Sequence, residues 1–389
     1  MRKTPKVALL VETARGFGRD LLRGVARYAQ HHGPWSFYIT PGDFEHALPE
    51  MEAWGGTGII ARIPNEDVAR AILHAGLPTI ALGLTDDQKQ PGSPLAKFPD
   101  LSSSADDVAR LVSDHLLERR FANFAYVGME ERGWSRRREQ AFCSRLQKAG
   151  YRVSVYHQPR CVADRSWETE RDILAHWLRG QPRPLGLFAC NDDRGRQVLE
   201  ACRIGELRVP SDVAVVGVDN DRVFCDLADP PLSSVALNAE TAGYRAAELL
   251  DHMMQGGNCG TRHVLVEALG VVTRNSTDII AVQDEDVSAA LQFIRRRQGV
   301  GISVDSVADA IAVSRRCLER RFRETIGRTI LDEIQTSRIE RAKQLLLETK
   351  YPISKVAQLS GFGSTGYFVQ FFHDRVGNTP RKFRMALTT

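Results

Sequence analysis

From Lys6 to Met253, short apolar runs alternate with stretches of helical period, and this alternation constrains the chain more than any other feature. Lys6–Glu12 (KVALLVE) predicts a strand, and Arg19–His31 (RDLLRGVARYAQH), with apolar residues at helical spacing, predicts the helix after it. Further strands are expected at Trp35–Ile39, Gly58–Ile63, Thr79–Leu82, Phe124–Val127, Arg152–Tyr156, Gly186–Ala189 and Val213–Val218. Helices are expected at Asp106–Leu117, Glu139–Ala149, Asp172–Leu178, Gly195–Cys202 and Ala239–Met253. Strands separated by helices of this length build βαβ units, and therefore parallel sheets covered on both faces. There are enough units for two doubly wound sheets.

Two such lobes leave a ligand crevice outside the carboxyl ends of their strands. Phe17 follows the first strand, and Arg138 lies in WSRRREQAF after FAYVG. Asn191 follows GLFAC, and Asp219 follows VAVVG. A guanidinium, an amide, a carboxylate and an aromatic ring suit a neutral polyol, which needs paired hydrogen bonds to adjacent hydroxyls and a surface to stack on. Asn and Asp after a strand also cap the next helix, and the Arg136–Arg138 run also reads as a solvated helix face.

The second half of this region carries Asn191-Asp192, Val209–Asn220 (VPSDVAVVGVDN), Pro231–Val235 (PLSSV), Gly243, Ala246, Ala247 and Leu250. It resembles the effector domain of LacI-type repressors over about residues 5–278. The resemblance implies a two-lobed periplasmic-binding-protein fold with sugar contacts at Arg138, Asn191, Asp219 and Phe17. It assigns no ligand role to Leu237 or Asn238, where the family has a polar residue, and Ser102–Ser104 stand where it has an acidic one. Arg62 is an unusual crevice residue and points to a modified sugar preference. LacI-type repressors carry a helix-turn-helix before the sensor, whereas this chain enters its first strand by residue 6, so DNA binding is expected elsewhere.

Charge points to where. Residues 290–389 hold 18 Lys or Arg against 9 Asp or Glu, and the remainder 34 against 39. A segregated basic segment is the footprint of a polyanion-binding face, although a solvated basic domain has the same composition. After an acidic boundary at Asp284–Asp286, Val287–Arg297 reads as a helix that Gly299–Gly301 ends. Val304–Ala312 and Arg315–Glu324 then read as a helix-turn-helix, with Ser314 as the cap and Leu318 and Phe322 as an i, i+4 seam. Ile330–Thr349 forms a long helix. The pattern recurs as Ile353–Ser360, a Gly361–Gly363 turn and Thr365–Val376, capped by Ser364, with Phe368 and Phe372 as the seam.

Ser314, Leu318–Phe322 (LERRF), Gly327, Arg338, Ala342, Leu345-Leu346, Ile353–Ala357 (ISKVA), Gly361-Phe362, Tyr367-Phe368, Phe372, Gly377–Pro380 (GNTP) and Phe383-Arg384 make this segment similar to the AraC-type DNA-binding domain. That resemblance implies two recognition helices in successive major grooves, with DNA contacts from Arg315, Arg316, Glu319 and Arg320 in the first unit and Ser364, Thr365 and Gln370 in the second. Gln370 and His373 replace the usual basic residues, so specificity is expected to rest on the first unit.

The expected organisation is therefore an α/β sensor of two doubly wound parallel sheets over residues 1–282 and an all-α reader over 283–389. The combination resembles the xylose-responsive operon regulators. It implies a cytoplasmic homodimer that binds promoter direct repeats, takes D-xylose as effector, and activates transcription through RNA polymerase. A regulator answering another sugar remains open, and so does an alkyl-transfer repair protein. The latter needs a reactive cysteine, and among seven scattered cysteines only Cys317 sits among arginines. No CxxC, P-loop or GxSxG is present, and no apolar run approaches membrane-spanning length, so neither a metal, another cofactor, an enzyme nor a membrane partner is expected.

Overall fold

A computed structural model describes residues 4–39, 50–161, 165–257, 263–279, 284–297 and 301–385. The first part is built on twelve strands: β1 (Lys6–Leu10), β2 (Ser36–Ile39), β3 (Gly58–Arg62), β4 (Thr79–Leu82), β5 (Asp100–Ser103), β6 (Asn123–Val127), β7 (Val153–Tyr156), β8 (Leu185–Ala189), β9 (Val213–Asp219), β10 (Ser233–Leu237), β11 (His263–Val266) and β12 (Ala268–Val272). They form two six-stranded sheets, ordered β2-β1-β3-β4-β5-β11 and β7-β6-β8-β9-β10-β12. Central strands such as β8 and β4 are buried along their whole length, as strands covered on both faces must be.

The first sheet is parallel throughout. The second departs from the expected all-parallel sheet, because β12 runs antiparallel to β10. Only Glu267 separates β11, in the first sheet, from β12 in the second, so the chain changes lobe with no crossover helix to keep the new strand parallel. The chain also changes lobe between β5 and the helix Ala105–Glu118, and between β10 and the helix Ala239–Met254. The chain thus passes between the lobes three times among the described residues.

In the first lobe the helices Gly16–His32 and Ala239–Met254 cross at very short range. Gly24 and Gly243 make this possible, since a Cβ on Gly24 would overlap the Glu240 carbonyl oxygen and one on Gly243 the Leu21 carbonyl oxygen.

The second part is helical: Glu285–Arg296, Val304–Ile311, Arg315–Ile326, Ile330–Glu348, Ile353–Leu359, Thr365–Val376 and Pro380–Met385. It has two small cores. Leu318 and Phe322 are fully buried with Val287, Ala290, Leu291 and Ile294 in one, and Phe368 and Phe372 with Ala342 and Val356 in the other. Ser314 differs from expectation: it occupies the N-cap position of Arg315–Ile326 but makes no side-chain cap hydrogen bond. Ser364 does cap its helix, accepting from Tyr367 N–H at 3.2 Å. The expected boundary at 282/283, the Ile279–Gln283 lead-out beyond Ile279, and Gly299 in the expected helix stop lie outside the described residues.

Candidate functional site

Between the lobes lies one crevice lined by the carboxyl ends of β1, β3, β5 and β9 and by the turns after β4, β6 and β8. Phe17, Arg138, Asn191 and Asp219 all line it. Arg138 lies in the second turn of the helix Gly133–Lys148 and is buried. Its Nη1 donates to the Cys190 carbonyl at 2.5 Å, its Nη2 donates to Ser103 Oγ of the other lobe at 3.2 Å, and its guanidinium lies over the Trp134 ring at 5.1 Å. The solvated-face reading of the arginine run is thus corrected in part: Arg136 is exposed, Arg137 half-buried and Arg138 buried. A run of charges looks uniform in sequence, but a helix turns successive residues through about 100°, which aims one of three inward.

Asp219 ends β9 with φ 104, and Asn220 follows with φ 50, two consecutive non-glycine residues in the left-handed region. Their backbone is held by Asn220 N–H donating to Ser234 Oγ at 3.0 Å. Arg138 Nη2 lies 4.0 Å from Asp219 Oδ1. Burial nevertheless raises the Asp219 carboxyl to about 6, only partly offset by Arg138. Asn191 serves the bland role and the crevice together: its Oδ1 accepts from Arg194 N–H at 3.0 Å as the helix cap, which leaves the amide NH2 to offer. Asp192 sits behind it, accepting from Ser234 Oγ at 2.5 Å and Asp221 N–H at 2.7 Å, with its carboxyl raised by burial.

Polar contacts tie the two lobes together around this space. Arg15 Nε donates to Asp193 Oδ2 at 2.5 Å. Asp221 Oδ2 accepts from Gly16 N–H at 2.6 Å and Arg19 at 2.9 Å, and Arg137 meets Asp86 at 2.9 Å. Glu12 and Arg132 also line the crevice and were not singled out from sequence, although both follow strands. Asn238 caps Ala239–Met254 through Thr241 N–H at 3.4 Å, and neither it nor Leu237 lines the crevice.

In the reader, Arg315, Arg316 and Arg320 are exposed on Arg315–Ile326, and Glu319 is half-buried. Arg315 bridges Asp305 at 2.9 Å and Glu319 at 3.1 Å, and Arg320 lies 3.4 Å from Glu324. Arg316 makes no ion pair among the described residues. Ser364, Thr365 and Gln370 are exposed on the second unit, where Gln370 donates to Asp374 at 2.9 Å. Among the described residues no group of three or more His, Cys, Asp or Glu is arranged to hold a metal, and no helix is long and apolar enough to cross a membrane.

Comparison with known proteins places relatives across the same architecture. Residues 6–99 match a XylR N-terminal domain, residues 113–277 a periplasmic binding protein-like domain, and residues 307–386 a helix-turn-helix domain. The chain is 31% identical over 389 residues to the xylose operon regulatory protein of Escherichia coli strain K12, covering 98% of this chain and 97% of the relative. It is 30% identical over 384 residues to the protein of the same name from Haemophilus influenzae, covering 98% of each. A solved structure described as a xylose-binding transcription activator superposes with a TM-score of 0.64 at 29% identity, covering 99% of both chains.

Proposed function

The chain belongs to the family of xylose operon regulatory proteins, and from that premise we propose that it is a sugar-responsive transcription activator whose effector is D-xylose. The observation that carries this reading is the convergence of Phe17, Arg138, Asn191 and Asp219 on one interlobe crevice within a chain that also bears two helix-turn-helix units. Arg138 and Asp219 supply a donor fork and an acceptor for adjacent hydroxyls, Asn191 a further amide donor, and Phe17 a stacking surface. Residues 1–282 act as the sensor and 283–389 as the reader.

A ligand that bridges the lobes favours the closed sensor and changes how the reader is held, so effector binding and DNA binding are linked. Arg315, Arg316, Glu319 and Arg320 read the major groove in the first unit, with Ser364, Thr365 and Gln370 in the second. The protein acts in the cytoplasm as a homodimer on promoter direct repeats, where it engages RNA polymerase. Calorimetric titration of the full chain with xylose, ribose, arabinose and glucose tests the reading, run beside Arg138→Ala and Asp219→Ala. Selective xylose binding, lost in both variants, is expected; DNA binding with no response to any sugar would overturn the effector.

A further inference from the structure

The helix Ala105–Glu118 runs from the crevice to the reader. At its start Ser102, Ser103 and Ala105 line the crevice, and Ser103 Oγ accepts from Arg138 Nη2 at 3.2 Å. Its 14 residues rise 1.5 Å each and so carry it about 21 Å. At its far end it is pinned to the segment by which the chain leaves the sensor. His115 Nε2 lies 2.9 Å from Thr277 Oγ1, and Arg119 Nε donates to the Thr277 carbonyl at 2.9 Å. His115 and Arg119 are both buried, so this end is fixed in the second lobe.

The next residue, Arg120, is exposed and holds φ 62. A left-handed arginine is costly and persists where its surroundings impose it. Its N–H donates to the Leu117 carbonyl at 2.9 Å, which closes the turn, and its Nη2 donates to the carbonyl of Ile326. Ile326 is the last residue of Arg315–Ile326, the second helix of the first helix-turn-helix unit, and Gly327 caps that helix with φ 75. The last carbonyls of a helix lack partners within it and carry the negative end of its dipole, so a guanidinium there stabilises by charge and by hydrogen bonding. A second line reaches the same place. Asp278 of the sensor pairs with Arg295 at 3.1 Å, Arg295 lies 3.9 Å from Glu333, and Glu333 pairs with Arg328. Both lines meet the helix at the end away from Arg315 and Arg316, which stay exposed.

We infer that Arg120 is a positioning residue for DNA recognition: it clamps the carboxyl end of Arg315–Ile326 to the second sensor lobe, so that the lobe holding Arg138 sets the attitude of the first unit. This rests on the chain being a sugar-responsive regulator and deepens that reading by naming a sensor residue through which the effector reaches DNA. A sugar that changes how Arg138 holds Ser103 moves the start of Ala105–Glu118, and a packed helix carries that movement to Arg120 as a body. Arg120 lines neither the crevice nor the exposed start of Arg315–Ile326, so losing it separates coupling from binding.

The test compares the full chain as wild type, Arg120→Gly and Arg120→Lys. Glycine adopts φ 62 without strain, so Arg120→Gly removes the guanidinium and keeps the turn, whereas Arg120→Lys keeps a cationic donor. Anisotropy with and without D-xylose gives the affinity for a labelled duplex selected from a random pool by the wild-type chain. Calorimetry gives D-xylose affinity, and mass spectrometry gives amide exchange over residues 323–328 without sugar. Arg120→Gly should lower the D-xylose-induced change in DNA affinity about two- to fivefold and speed that exchange by a similar factor, the scale of one partly exposed helix-end contact. D-xylose affinity itself should stay within about twofold, and Arg120→Lys should restore part of both losses. Where wild type responds to D-xylose, an unchanged response in Arg120→Gly would overturn the inference, and so would a lost response matched by lost D-xylose binding. If wild-type DNA affinity ignores D-xylose, the effector reading falls and the exchange rates decide the clamp: faster exchange in Arg120→Gly upholds it, and unchanged exchange overturns it.

Discussion

Arg274 and Glu348 lie 3.7 Å apart across the junction between sensor and reader. Arg274 also donates to Asn220 Oδ1 at 2.9 Å and to the Leu232 carbonyl at 3.1 Å, so the residue that touches the strained turn after Asp219 also faces the last turn of Ile330–Glu348, the helix joining the two helix-turn-helix units. Arg295 Nη1, from the first reader helix, reaches Asp278 of the sensor at 3.1 Å. Crevice and reader thus share a short polar connection. Glu348→Gln is expected to lower the sugar-induced change in DNA affinity by about two- to fivefold, the scale of one partly exposed ion pair within a coupling free energy of about 1–3 kcal/mol. Anisotropy titrations of labelled operator with and without sugar check this, and an unchanged ratio would remove Glu348 from the coupling.

The Asp219 carboxyl is held at about 6 by burial, against the opposing pull of Arg138. Sugar hydroxyls need the ionised acceptor, so affinity is expected to be full near neutral pH and to fall by up to about tenfold per unit as pH drops below 6. The same shift acts on stability with the opposite sense. Between the ordinary carboxyl value near 4 and about 6 the native state keeps a proton that the unfolded chain has released, so this group's contribution to stability falls as pH rises through that window and is level above it. Titrations from pH 5 to 8 read the first effect, and Asp219→Asn should flatten it.

Arg316 is exposed without an ion pair, whereas Gln370 is held by Asp374 at 2.9 Å. Arg316→Ala is expected to cost about 1–3 kcal/mol of operator affinity and Gln370→Ala less than about 1. Equal losses measured by anisotropy would show that both units contribute alike.

Gly243→Ala places a methyl against the Leu21 carbonyl in the helix crossing of the first lobe. The backbone must shift to admit it, with an expected loss of about 1–3 kcal/mol, read from the urea midpoint. The DNA affinity of the reader, whose two cores lie elsewhere, should be retained.

Local periodicity by itself determined the fold class. The apolar runs ending at Leu10, Val127, Ala189 and Asp219 are strands buried by their own composition, and the Leu318–Phe322 and Phe368–Phe372 pairs fall on the inner faces of their helices because the side chains repeat every 3.6 residues. The same strand ends made Phe17, Arg138, Asn191 and Asp219 legible, since a doubly wound sheet puts those positions at one mouth. Short strands with polar content escaped this reading: β5 is DLSS, and β12 pairs antiparallel only because of where β10 already lies. Tertiary structure alone decided which arginine of the Arg136–Arg138 run turns inward, that Asp221 meets Gly16 and Arg19 from more than 200 residues away, and that Arg62 faces Glu12 at 3.6 Å. The physical reason is that periodicity is a property of neighbours along the chain. Ion pairing and carboxyl shifts depend on distance and on lost solvent between segments that only folding brings together.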